Sequence, residues 1–174
     1  MDIFLEYIVA RKKNLKDIAI IAGILLGLCL LLFISLFFMF TQLSSFVMLL
    51  DAGLIYLAYL GITSRNVEYE YIVTNGEVDI DKITHRRKRK RIISVHSKTF
   101  DMVAPVGESA YRGEEHSTVS RVIDVASSPT SERAYFALFS KDGQRIKLIF
   151  EPTERMLDAF TTFVPRNVHK RSEQ

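Results

Sequence analysis

The chain has 174 residues, 48% apolar and 25% charged, with a formal net charge of +3; spread evenly, this would describe one ordinary soluble domain. It is not spread evenly, because Ile18 to Phe40 runs for 23 residues without a charge or an amide, whereas 35 of the 43 charged side chains, and the whole positive excess, follow Ile62. The 112 residues beyond Ile62 suffice for one small domain and not for two, and the single cysteine, Cys29, excludes an intrachain disulfide and a cysteine-based zinc site.

In chain order, Ile3, Phe4, Tyr7 and Ile8 recur at helical spacing ahead of Arg11, Lys12, Lys13 and Lys16. Residues 1–17 are therefore expected to form an amphipathic, basic segment with a short helix lying on the inner leaflet. Residues 18–40 meet the requirement of roughly 20 apolar residues for crossing about 30 Å of hydrocarbon. A signal peptide would have an apolar region of only about 7–15 residues and a small-residue cleavage site. Residues 46–62, interrupted only by Asp51, predict a second span. The turn between the spans carries no charge, while basic residues precede the first span and Arg65 follows the second. Cation-rich flanks stay inside, so both termini are expected in the cytoplasm, with the chain in the cell membrane.

Gly23 and Gly27 form a G-x-x-x-G step that lets helix backbones approach closely. It suits packing of the first span against the second, or association of two protomers. Asp51 is a carboxylate within an apolar span and so invites a functional reading. It lies about 7 Å below the outer boundary at about 1.5 Å per residue. A snorkelling or protonated, hydrogen-bonded carboxyl accounts for it better than a proton or ion relay. The relay belongs to an alternative reading, an oligomeric, transport- or ion-related membrane component.

Residues 64–168 read as a small β domain closed by a helix. Asn75-Gly76 is the preferred two-residue type I′ hairpin turn. Its flanks alternate, with Val67, Tyr69, Tyr71, Val73, Val78 and Ile80 on one face and Glu68, Glu70, Glu77, Asp79 and Asp81 on a face expected to be wet. Five more strand-like runs follow, at residues 91–95, 99–103, 119–126, 134–140 and 145–151, making seven. Pro152 fits the first turn of a helix in which Met156, Leu157, Phe160 and Phe163 recur at three- and four-residue steps before Pro165. Residues 169–174 remain as a tail.

The expected class is thus α+β: a two-helix transmembrane hairpin, then seven antiparallel strands and one amphipathic helix. That strand–helix order, together with Tyr71-Ile72-Val73-Thr74-Asn75-Gly76, a basic stretch, Arg91-Ile92-Ile93 and Ile149-Phe150-Glu151-Pro152, resembles the bacterial pleckstrin-homology-like (PH-like) membrane proteins. The resemblance covers most of residues 41–170. It implies a seven-stranded barrel capped by the C-terminal helix and a membrane context, and it implies no catalytic residues. Residues 104–118 form a longer polar loop than the pattern needs.

Arg86, Arg87, Lys88, Arg89, Lys90 and Arg91 are six consecutive cations. A strand leaving the membrane after Arg65 and a second strand returning from Asn75-Gly76 bring them back to the inner leaflet. There, each is worth about 1 kcal/mol against anionic phospholipid. The same cations are placed to neutralise Glu70, Asp79 and Asp81 across the sheet. Nucleic acid is a third partner class, less suited because no interleaved aromatics or recognition helix accompany the charge. His85, His96, His116 and His169 show no ligand pairing, Ser109 lacks a nucleophile elbow, and no phosphate loop is present. Neither an enzyme nor a cofactor is expected. The expected role is a membrane-apposed binding or scaffolding module.

Overall fold

Asn14 opens the first helix by donating its backbone N–H to Asp17 Oδ2 at 3.2 Å, which ties down a first-turn carboxylate. In the computed structural model, which describes residues 3–171, helix α1 covers Leu15–Phe38 and helix α2 covers Ser44–Thr63. Three contacts show that they run antiparallel. Asp17 lies 4.0 Å from Arg65, a Cβ on Gly61 would meet Ile24 at 3.1 Å, and the Ser35 hydroxyl donates to Asp51 at 2.8 Å. Both helices are long and apolar enough to cross a membrane, and their leucines, isoleucines and phenylalanines are largely exposed. All-round apolar, unburied helices of this length suggest membrane association. The helices form one compact unit, Lys13–Val67, together with Thr84–Arg86.

The second unit holds the sheets. Its strands are β1 (Phe4–Ala10), β2 (Val67–Thr74), β3 (Glu77–Thr84), β4 (Lys88–His96), β5 (Phe100–Pro105), β6 (Arg121–Asp124), β7 (Tyr135–Lys141) and β8 (Gln144–Phe150). They form two four-stranded sheets, ordered β1-β2-β3-β4 and β5-β7-β8-β6. The seven expected strands are all present, and β1 is an eighth.

Three expectations are corrected. First, residues 4–10 are a strand rather than a helix on the leaflet, pairing antiparallel with β2 from Phe4↔Thr74 to Ala10↔Glu68. Leu5, Tyr7 and Val9 alternate along the chain, and that period of two prevails over the helical spacing of Phe4, Tyr7 and Ile8. The helical hairpin is therefore inserted between the first two strands of a sheet. Second, the strands make no closed barrel. Residues 97–99 form a tight 3-10 turn that breaks β4 from β5, and the first sheet reaches residues 125–127 through single bonds, Lys12 N–H to Ser127 O and Tyr71 O–H to Val125 O, rather than a ladder. Third, the strands are not all antiparallel, since β6 pairs parallel with β8.

The Asn75-Gly76 turn forms as expected, with φ of 50° and 90°. Asn75 also exchanges two 2.9 Å hydrogen bonds with Ile3, which fixes the start of β1. The predicted inner face of β2 and β3 is buried throughout. Strand β7 is buried on both faces from Tyr135 to Phe139. Phe139 meets Phe100 on one side, and Phe136 and Leu138 pack with Ala104, Val106, Tyr111 and Val119 on the other. Residues 104–118, expected as a polar loop, thus supply a second apolar cover and include the short helix α3 (Arg112–Glu115). That cover is why Tyr135-Phe136-Ala137-Leu138-Phe139 lacks alternation. Helix α4 (Glu154–Phe163) is capped by Thr153, whose hydroxyl accepts from Met156 N–H. It buries Met156, Leu157, Ala159 and Phe160, with Phe160 against the rings of Phe100 and Phe150.

Candidate functional site

In the helix unit, the cations lie at one end of the hairpin. Lys13 and Lys16 stand at the start of α1, Arg65 follows α2, and the connection at residues 39–43, at the other end, is uncharged. The turn Thr84–Arg86 belongs to the same unit. His85 donates its backbone N–H to Asn66 O at 2.9 Å, and its ring meets Tyr59 edge-on at 5.8 Å. His85 and Arg86 both have left-handed backbones, φ 55° and 54°, which makes the tight reversal into β4. The basic run therefore begins where α2 ends.

From there the six cations divide. Arg89 reaches Glu70 at 2.8 Å, while Arg91 bridges Asp79, at 2.8 Å, and Asp81. These two neutralise the acidic stripe, and the stripe itself departs from the expected wet face, because Glu70 and Asp81 are buried. Burial pushes the Glu70 carboxyl above its ordinary range, with Arg89 opposing and Glu6 reinforcing the rise. The hydrogen bond to Asp81, helped by Asp79, raises the Arg91 guanidinium further. Arg86, Arg87, Lys88 and Lys90 are exposed. No ion pair to Arg87, Lys88 or Lys90 is found among the described residues.

The spans hold the other expected positions. Apart from the backbone of its own helix and its chain neighbours, an added Cβ at Gly23 or Gly27 would meet nothing within 4 Å among the described residues, so this step does not seat α2. The glycine at the close approach is Gly61, whose contact with Ile24 comes from a position outside the G-x-x-x-G spacing. Asp51 Oδ2 accepts from Ser35, while its Oδ1 has no hydrogen-bond partner among the described residues.

Two features were missed. The first is β1, whose signal lay in the alternation of Leu5, Tyr7 and Val9. The second is Glu151, a buried carboxylate at the β8–α4 junction; only proximity to Ser127 and Arg133 in space gives it meaning, and sequence spacing carries no sign of that.

A family model described as Bacterial PH-like domain (DUF6106) matches residues 1–170. No curated protein and no solved structure matches the chain.

Proposed function

Given that the chain belongs to the bacterial PH-like domain family, we propose that it is an integral membrane protein with two spans and both termini in the cytoplasm, acting as a binding or scaffolding module rather than an enzyme. Its lipid-reading surface is the outward part of the basic run, Arg86, Arg87, Lys88 and Lys90, against anionic head groups. Arg89 and Arg91 have a structural role, holding the acidic stripe. The observation that carries this reading is the packing of the Thr84–Arg86 turn with the C-terminal end of α2, since that end carries Arg65 and is assigned to the cytoplasmic interface by its cations.

A hairpin-free protein tests the surface directly. Ala10 lies opposite Glu68 in the β1–β2 ladder, so an Asn-Gly turn replacing residues 11–67 closes the two strands without changing their register. Circular dichroism first verifies that this protein folds. Cosedimentation with anionic vesicles is then expected to fall when Arg87, Lys88 and Lys90 are replaced by Gln. At about 1 kcal/mol per cation the limit is about a hundredfold. The midpoint of thermal unfolding should stay unchanged, because exposed charges contribute little to folding. Vesicle binding that ignores all three substitutions would reject the lipid-reading surface.

A second reading, association of protomers through α1, is favoured by the open space around Gly23 and Gly27. Replacing both by Leu should then abolish crosslinking between protomers in membranes.

A further inference from the structure

Charge on the acidic face of the first sheet does not balance. Glu70 is 1% exposed, and its Oε1 accepts from Arg89 at 2.8 Å. Its Oε2 is sealed from solvent and receives no hydrogen bond from an N–H or hydroxyl donor among the described residues. What lies against Glu70 instead is a second carboxyl. The register sets Glu6 opposite Ile72 and Ile8 opposite Glu70, so Glu6 and Glu70 are diagonal neighbours on one face, and their side chains come within hydrogen-bonding contact.

The remaining charges on this face come from the other strands. Strand β2 adds Glu68, opposite Ala10 at the end of the ladder. Strand β3 adds Asp79 and Asp81, and both are held by Arg91 of β4. Arg89 is the guanidinium that meets Glu70, so one positive charge serves two carboxyls in contact. With both ionised, a negative charge is left over beside a sealed oxygen without a donor, which is a costly arrangement. A single proton removes both difficulties. Carried between the two carboxyls, it gives Oε2 its donor and leaves one negative charge for Arg89. Burial is the largest influence on the Glu70 carboxyl and raises it; Arg89 opposes, and Glu6 and Asp81 add to the rise. That is the direction a retained proton requires.

We propose that Glu6 and Glu70 share one proton across the β1–β2 ladder, and that this proton is a pH-sensitive latch on β1, the strand that runs into α1 through residues 11–14. The proton belongs to the pair rather than to either residue. The folded pair holds it more tightly than the unfolded chain does. The latch is therefore closed in acid, weakens as pH rises above the ordinary carboxylate range, and is open once the pair has lost its proton. Two carboxylates in contact then repel, and β1, at the edge of its sheet, is the strand able to part from β2.

The test is hydrogen–deuterium exchange of the full chain in phosphatidylcholine nanodiscs between about pH 5 and pH 8, where the lipid head groups do not titrate, with every amide corrected for its intrinsic rate. Opening of residues 4–10 is expected to increase with pH, by up to about tenfold per unit, the limit set by one proton. Residues 135–139 of β7 should keep their protection. Glu6→Gln, at an exposed position, offers Oε2 an amide N–H at every pH, so the slope should vanish and β1 stay protected at the upper end of the range. Glu70→Gln should also remove the slope if it folds, and Glu6→Gln decides the matter if it does not. The proposal is overturned if protection of β1 does not change with pH, if β7 loses protection in step with it, or if Glu6→Gln keeps the slope.

Discussion

Shortening the chain so that it begins at Arg11 removes a strand of the sheet, and the cost can be worked out. Val9 is 4% exposed, and burying such a side chain is worth about 1.5–3 kcal/mol. Tyr7 contacts Tyr71 with ring centroids 6.3 Å apart, which adds about 0.5–1.5 kcal/mol. Half-buried Leu5 adds about half as much as Val9 by the same area reasoning. The total, about 3–6 kcal/mol, approaches the whole stability of many domains, about 5–15 kcal/mol. At roughly 4 °C or more per kcal/mol, the strand signal in circular dichroism should melt more than about 10 °C earlier, or be absent from the outset. A helix lying on the leaflet, the expectation drawn from Ile3, Phe4, Tyr7 and Ile8, would leave that midpoint unchanged on removal. A shortened protein that melts within about 2 °C of the full chain would therefore refute the strand assignment and, with it, the insertion of the hairpin into the sheet.

Two carboxylates should respond to pH in opposite senses. Glu70 is raised by burial, so the folded state holds its proton more tightly than the unfolded chain. Its contribution is favourable in acid and is lost as pH rises through the folded value, and Glu70→Gln should stabilise at pH 7 with a gain that vanishes toward pH 4 in chemical denaturation. Glu151 is lowered, so its contribution is present above the ordinary carboxylate range and lost as pH falls; Glu151→Gln should destabilise at pH 7 and converge with the native protein in acid. Gly76 and Gly143 separate backbone from packing. Both have positive φ, 90° and 74°, but an added Cβ at Gly76 would lie 2.8 Å from the rings of His96 and Phe163, whereas at Gly143 it meets nothing within 4 Å. Gly143→Ala should cost only the left-handed backbone penalty of about 1–2 kcal/mol, and Gly76→Ala distinctly more in the same urea titration.

Much of the fold was legible because local rules and tertiary context agree. The Asn75-Gly76 turn, the buried alternation from Val67 to Ile80 and the amphipathic spacing of Met156, Leu157 and Phe160 each carry their own signal. What was not legible depended on partners distant in the chain. Strand β1 needs β2, some sixty residues away, before Leu5, Tyr7 and Val9 have anything to cover. The acidic stripe read as wet because charge usually is, and only the guanidiniums of Arg89 and Arg91 make its burial affordable. The same pairing divides a run of six identical-looking cations into structural and outward-facing members, a distinction that composition cannot draw.

In the proposed topology the two helices cross the membrane with the uncharged turn outside and the basic run inside. Replacing Cys29, the one cysteine of the chain, by Ala leaves a background in which single cysteines at Gln42 or Arg87 report on each side. In intact cells a membrane-impermeant maleimide should label Gln42→Cys and spare Arg87→Cys until the membrane is permeabilised. Labelling of Arg87→Cys in intact cells, with Gln42→Cys protected, would overturn that topology.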